Sequence, residues 1–123
     1  MPAPISAEAG IEALTAWLAT PDTLARPLRA RAVRYLLQRL AADHPGRAVE
    51  VRVPPFGAVQ ILEGTTHRRG TPPAVIEMDA DTWLSLATGS LTWGDALAAH
   101  RVSASGQRTD LAPLLPVISA GDL

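Results

Sequence analysis

The polar cluster in this chain that is best suited to bind a ligand is His67-Arg68-Arg69-Gly70. An imidazole beside two guanidinium groups could bind a carboxylate or a phosphate through charge-assisted hydrogen bonds. The cluster falls in a loop between two predicted strands, where it could reach the mouth of a pocket. The alternative interpretation is a connecting loop that is exposed and basic without a binding role.

The other titratable groups do not form a catalytic arrangement. His44, His67 and His100 fall in separate loops or helix ends, and no two of them have the spacing of a helical metal site. Glu77 and Asp79 would share one face of a strand, but Asp79 is better placed as the N-cap of the helix that follows. We therefore expect no catalytic residue, no metal site and no cofactor.

Composition narrows the classes of function further. The chain has 123 residues, of which 47% are hydrophobic, and this length and composition indicate one globular domain. Its net charge is −1, so the protein as a whole has no positive electrostatic field that would attract nucleic acid. The absence of cysteine excludes disulfides, thiolate nucleophiles and zinc–thiolate sites. Neither a run of transmembrane length nor a secretory signal pattern is present, so we expect a cytoplasmic protein without stable membrane insertion.

Arginine supplies every basic residue of the chain, and one predicted helix is loaded with it. The arginines of this helix are spread around its circumference and form no single ridge; they are Arg26, Arg29, Arg31, Arg34 and Arg39. One interpretation is a solvated face, and the other is a surface for phospholipid headgroups or the phosphates of a CoA ester. The chain has only three Trp and one Tyr for stacking on bases, so we expect no nucleic-acid partner.

Hydrophobic periodicity indicates the elements that must position these groups. Two helices are predicted first, over residues 7–19 and 27–42. Three strands follow, over residues 48–53, 56–63 and 74–78. The second strand is apolar on both faces apart from Gln60 and Glu63, which predicts a strand covered on both sides.

The last part of the chain contains the clearest helix signals. Asp79 can cap a helix that runs to residue 87, and Gly89 is placed to end it in the left-handed conformation. Thr92-Trp93-Gly94-Asp95 has the spacing of a capping box, which predicts a second helix to about His100. A short strand over 101–105 and a helix over 109–115 complete the pattern, with Leu111, Leu114 and Leu115 on one face of the last helix.

This order of elements resembles the sterol carrier protein family, and more narrowly its bacterial branch of small stand-alone proteins. The resemblance extends from about Leu24 to Val117, and the ordered set of similar runs carries it, since no single motif is specific. These runs are residues 33–38 (VRYLLQ), 49–56 (VEVRVPPF), 69–73 (RGTPP), 82–84 (TWL), Trp93, 105–106 (SG) and 110–111 (DL). One departure is His100, which stands where the family usually has a glycine and therefore predicts a strained positive φ.

The resemblance implies an α+β fold with one sterol carrier-like domain. Its sheet would be twisted and mostly antiparallel, with four to five strands covered by helices. Residues 23–123 would form this domain, and residues 1–22 would form a leader and a helix packed on it.

The resemblance also implies a non-catalytic function, the binding of a fatty acid, an acyl-CoA or a sterol-like ligand between the sheet and the helices. His67, Arg68 and Arg69 would be the polar residues at the pocket mouth. The candidate lining residues are Phe56, Val59, Ile61, Ile76, Met78, Trp83, Leu86, Trp93, Leu97, Leu114 and Leu115.

The same apolar residues could instead form a filled core, because periodicity does not distinguish a core from a pocket. The chain would then be a ligand-free interaction module, acting through its surface or as an accessory to an enzyme supplied in trans. A homodimer is compatible with either interpretation.

Overall fold

The computed structural model of the protein describes residues 3–64, 74–106 and 110–123. Within them, helices pack on one sheet and enclose a shared core of buried apolar side chains. In chain order the helices and strands are α1 (Ala7–Ala19), α2 (Arg26–Asp43), β1 (Val49–Val53), β2 (Gly57–Ile61), β3 (Ala74–Met78), α3 (Ala80–Thr88), α4 (Trp93–Ala98) and β4 (Val102–Ser105). Two 3-10 turns follow, Ala112–Leu114 and Ala120–Asp122.

The sheet has the strand order β2-β1-β3-β4. β1 is antiparallel to β2, β3 is antiparallel to β4, and the two central strands, β1 and β3, are parallel. In this register Val51 lies opposite both Val59 and Ile76. The predicted α+β fold with a mostly antiparallel sheet is thus confirmed, with four strands in the described part of the chain.

The two faces of the sheet differ because side chains alternate along each strand. Val49, Val51 and Val53 of β1 are fully buried and face the helices. On the opposite face, the Arg52 guanidinium lies 3.7 Å from the Glu50 carboxylate and 3.5 Å from that of Glu77. The outer face is therefore polar and partly neutralised by these ion pairs.

The prediction that the second strand is covered on both sides is wrong. β2 is an edge strand whose side chains alternate, with Ile61 buried and both Ala58 and Gln60 exposed. The helices cover only the inner face of the sheet, so the short Ala58 side chain on the outer face remains in contact with solvent.

α1 and α2 pack closely because a glycine lies at their contact. Ser6 caps α1, its Oγ accepting a hydrogen bond from the N–H of Ala9 at 3.1 Å. A Cβ added to Gly10 would lie 2.2 Å from the Tyr35 ring of α2, so only glycine allows this approach. Leu14 and Trp17 of α1 are buried in the core.

α1 begins and ends at the predicted residues, whereas α2 extends one residue beyond its prediction at each end.

The capping signals of α3 and α4 are confirmed. Asp79 Oδ1 accepts a hydrogen bond from the N–H of Thr82 at 2.8 Å, and Gly89 ends α3 with φ 88°. Thr92 Oγ1 accepts from the N–H of Asp95 at 3.1 Å and so begins α4. His100 follows the end of α4 with φ 57°, which confirms the predicted left-handed backbone.

The helix predicted over residues 109–115 is wrong for the part that the structure describes. Residues 112–114 form a single 3-10 turn, and Thr109 lies outside the described residues. Pro113 is in the middle of that turn, and its missing N–H and its ring are incompatible with the interior of an α-helix. Leu111 is still fully buried, while Leu114 and Leu115 are half-buried.

Candidate functional site

An apolar groove lies between the C-terminal end of α3, the start of α4 and the segment that follows Leu111. Its volume is about 300 Å³, and we call it the α3–α4 groove. Its lining is mostly apolar and consists of Leu86, Gly89, Leu91, Thr92, Trp93, Gly94, Ala112, Leu115 and Pro116.

The sequence forms the first wall through the two helix caps. Gly89 reverses the chain at the end of α3, and Thr92 begins α4 three residues later. Trp93 is thereby the first residue of α4, and only 6% of its surface is exposed. Leu91 precedes the N-cap and is half-buried, so its side chain can contact both the core and the groove.

The second wall is the C-terminal segment. The N–H groups of Val117 and Ile118 donate to the Ala87 carbonyl oxygen at 2.8 and 3.0 Å. Carbonyls in the last turn of a helix lack a partner within the helix, so this one is available to hold the segment. Across the turn, a Cβ added to Gly89 would lie 3.5 Å from Pro116, which shows how closely the two walls meet.

Three of the predicted lining residues, Leu86, Trp93 and Leu115, line this groove. Ile61, Ile76 and Trp83 lie in the core and are fully buried. These three side chains occupy the space between the sheet and the helices, where the resemblance implied a ligand.

The Trp83 side chain makes one polar contact, through its ring N–H. Its ring N–H donates to the Val33 carbonyl oxygen of α2 at 3.3 Å, while the rest of the side chain is surrounded by the core. Met78, with 4% exposure, lies in the same core at the end of β3. Trp83 therefore joins α3 to α2 through packing and through this hydrogen bond.

The other predicted residues lie in different places. Phe56, Val59 and Leu114 are half-buried and pack against the core from its margin. The Arg26 guanidinium lies 5.4 Å from the centre of the Phe56 ring. Leu97 is 43% exposed and is not among the residues that line the groove. The predicted mouth residues lie outside the described residues; they are His67, Arg68 and Arg69.

Sequence reasoning did not single out Leu91 or Pro116 as lining residues. For Leu91 a signal was present, because an apolar residue directly before an N-cap often packs against the first turns of the helix. For Pro116 no local signal exists. Its place in the groove depends on where the C-terminal segment crosses α3.

Besides Arg26, three further arginines of α2 make internal contacts. Arg29 forms an ion pair with Asp81 of α3, and Arg31 Nη1 lies 3.2 Å from the Glu12 carboxylate of α1. Arg34 Nε donates to the Phe56 carbonyl oxygen at 2.6 Å. These contacts favour a structural role for the three residues over a shared surface for anionic lipids.

The described residues offer neither a metal site nor a membrane-spanning helix. Across 3–64, 74–106 and 110–123, no three His, Asp or Glu side chains come close enough together to bind a metal ion. In the same ranges, no helix has both the length and the apolar character needed to cross a membrane.

Comparison with known proteins identifies the family of this chain. No curated protein matches the sequence. A protein-family model described as bacterial SCP ortholog, where SCP stands for sterol carrier protein, matches residues 25–117. This range includes the four strands of the described residues and the whole α3–α4 groove. The chain therefore belongs to the family of bacterial sterol carrier protein orthologues.

Proposed function

We propose that the protein binds the apolar chain of a lipid-like ligand, a fatty acid or a fatty acyl ester, in the α3–α4 groove. The observation that carries this proposal is the groove itself, an apolar depression with Leu86 and Trp93 on one side and Leu115 on the other. Membership in a sterol carrier protein family supports the same class of ligand.

The size of the groove favours a single acyl chain over a sterol-like ring system. Small-molecule sites have volumes of roughly 300–1,000 Å³. The groove, at about 300 Å³, is at the lower end of that range.

The C-terminal wall offers a way to enlarge the groove. Leu114 and Leu115 are only half-buried, and two hydrogen bonds to the Ala87 carbonyl oxygen hold the chain that follows them. A small outward movement of this segment would extend the groove along α3 while the packing of the sheet stays unchanged.

Mass spectrometry of the freshly purified protein tests the proposal. Native spectra should show a bound species that organic extraction of the denatured protein releases as a fatty acid or acyl ester. After delipidation, incubation with a mixture of fatty acids should restore a one-to-one adduct. A clean apo mass that does not change after this incubation would overturn the proposal.

Two leucine variants locate the ligand. Leu91→Asn places an amide in the groove, and we expect it to abolish the adduct because a buried polar group without a partner opposes apolar binding. Leu97→Asn is the matched control, since Leu97 is exposed and outside the lining. Equal loading of both variants would place the ligand elsewhere.

A second function is favoured by the filled centre of the domain. Ile61, Ile76 and Trp83 are fully buried there, while Leu97 of α4 is 43% exposed. An interaction module would use such an exposed residue to bind a second copy or an enzyme in trans. For this function we expect an apo mass together with a dimer in light scattering that Leu97→Asn dissociates.

A further inference from the structure

A second cleft lies at the carboxyl ends of β1 and β3, beside the turn that leads from α4 into β4. Its volume is about 360 Å³, and we call it the strand-end cleft. Its lining combines charged and apolar residues: Pro54, Glu77, Met78, Asp79, His100, Arg101, Val102 and Ser103.

The topology explains why a cleft forms at this edge. β1 and β3 are parallel neighbours, so their carboxyl ends meet at the same edge of the sheet. The chain leaves β1 towards β2 on one side and leaves β3 towards α3, α4 and β4 on the other. Connections that diverge from two parallel strands leave a crevice between them, and such crevices commonly bind ligands.

The two acids of the cleft already have partners. The Glu77 carboxylate lies 3.5 Å from the Arg52 guanidinium on the outer face of the sheet. Asp79 Oδ1 accepts the hydrogen bond of the Thr82 N–H at 2.8 Å and so caps α3. The contacts of both carboxylates are thus with groups other than Arg101 and His100.

The two bases, in contrast, have no acidic partner among the residues that the structure describes. Arg101 Nε donates to the Thr82 hydroxyl oxygen at 3.0 Å, and Thr82 is fully buried. This hydrogen bond holds the guanidinium in place, while its two terminal NH₂ groups have no hydrogen-bond partner in the described part of the chain. The His100 side chain is exposed next to it.

The backbone of His100 is a second observation that points to this cleft. α3 and α4 end in the same way, each with a pair of hydrogen bonds that places one residue in the left-handed region. After α3 that residue is Gly89 with φ 88°, and after α4 it is His100 with φ 57°. Glycine adopts this conformation without strain, whereas histidine does not. Residues held in such a conformation cluster at binding and active sites.

We propose that the strand-end cleft binds a small organic anion, whose carboxylate or phosphate lies between Arg101 and His100. The planar guanidinium matches the oxygen geometry of both groups, and a charged partner strengthens each hydrogen bond. Pro54 and Val102 supply apolar surface for the body of the ligand. This site is separate from the proposed acyl groove and shares no lining residue with it.

Titration with benzoate and with phenyl phosphate, followed by ¹H–¹⁵N NMR at neutral pH, tests the proposal. Benzyl alcohol, which has a similar ring and no charge, is the control ligand. We expect saturable shifts at residues 77–79 and 100–103 for at least one anion and none for the alcohol. Binding of phenyl phosphate alone would identify a phosphate ligand, and binding of benzoate alone a carboxylate. Equal shifts with benzyl alcohol, or no saturable shift with either anion, would overturn the proposal.

Variants separate binding from folding. Arg101→Gln should weaken anion binding about tenfold or more, the size expected for a charged hydrogen bond. Arg47→Gln is the matched control, because Arg47 is an exposed arginine that does not line the cleft. Unchanged affinity in Arg101→Gln would contradict the proposed site.

His100→Gly distinguishes a role of His100 in anion binding from a purely structural role. Glycine relieves the backbone strain, so we expect a higher melting temperature together with weaker anion binding. His100→Asn, which tolerates the left-handed region, should weaken binding while the melting temperature stays close to the original. Unchanged anion affinity in both variants would remove His100 from the site. None of the probes has a long chain, so the outcome does not depend on the acyl groove.

Discussion

The ring N–H of Trp17 donates to Oδ1 of Asp81 at 3.3 Å, across 64 positions of sequence. Arg29 of α2 donates to the same oxygen. Asp81 thus connects α1, α2 and α3 through a single carboxylate atom. α1 lies outside the segment that the family model matches, yet this contact and the burial of Trp17 join it to the core.

Asp81→Ala should lower the free energy of unfolding by about 1–2 kcal/mol, because two donors lose a charged acceptor. The Arg29 side chain is 17% exposed and that of Asp81 57%, so solvent screens part of this interaction and the loss should lie towards the lower end of that range. Urea unfolding measures this loss as a lower midpoint with an unchanged slope. Glu12→Ala is the control, since both members of the Arg31–Glu12 pair are more exposed and their loss should cost under about 0.5 kcal/mol. Equal losses in the two variants would show that Asp81 has no special role.

Gly10→Ala should destabilise the protein although Gly10 lies inside a helix. Alanine favours a helix over glycine by roughly 0.5–1 kcal/mol, but overpacking at a tight contact costs about 1–3 kcal/mol. The new Cβ would lie 2.2 Å from the Tyr35 ring, so the second effect should dominate. Gly94→Ala is the control in α4, where a Cβ meets nothing within 4 Å, and it should stabilise. Thermal unfolding of the two variants measures both signs, and a stable Gly10→Ala protein would contradict the close packing of α1 on α2.

Trp83→Ala should lower the free energy of unfolding by about 3–5 kcal/mol, the usual cost of emptying a buried aromatic site. Trp83 is fully buried and also donates to the Val33 carbonyl oxygen. Trp83→Phe keeps most of the volume and should cost less. Chemical denaturation distinguishes this core role from a ligand-lining role, in which stability changes little and lipid loading changes instead.

His100→Gly and Gly89→Ala should change stability in opposite directions, because both residues have a positive φ at a helix end. The first should raise the free energy of unfolding by up to about 1 kcal/mol, because relief of roughly 1–2 kcal/mol of left-handed strain outweighs the roughly 0.5–1 kcal/mol entropic cost of glycine. The second should lower it by about 1–2 kcal/mol, the cost of a side chain in the left-handed region. Calorimetry of the two variants measures both changes in the free energy of unfolding. A destabilised His100→Gly protein would show that the imidazole stabilises the fold itself.

Local signals in the sequence predicted much of the fold correctly. Asp79 and Thr92 begin α3 and α4 as N-caps, and Gly89 ends α3. These features depend on contacts between residues three or four positions apart, so the nearby sequence contains the information. The left-handed backbone of His100 was predicted from the family resemblance instead, because His100 stands where that family usually has a glycine.

The failure at β2 depends on distant contacts, whereas the failure around Pro113 has a local cause, the proline ring and its missing N–H. Ala58 and Val59 of β2 are both apolar, but the strand order and the one-sided cover of helices expose Ala58 and half-bury Val59. The segment around Pro113 has the apolar spacing of a helix. It forms only a 3-10 turn before the N–H groups of Val117 and Ile118 reach the Ala87 carbonyl.

The sequence by itself determined the fold class, the family and the set of large apolar residues that the domain must bury. The tertiary structure alone decided which of them fill the centre, as Trp83 does, and which line a groove, as Trp93 does. It also decided that Arg101 and His100 line a cleft in which Glu77 lies near Arg52 and Asp79 caps α3. The physical reason is that hydropathy reports only the tendency of a residue to leave water, whereas a pocket is a gap between elements that lie far apart in sequence.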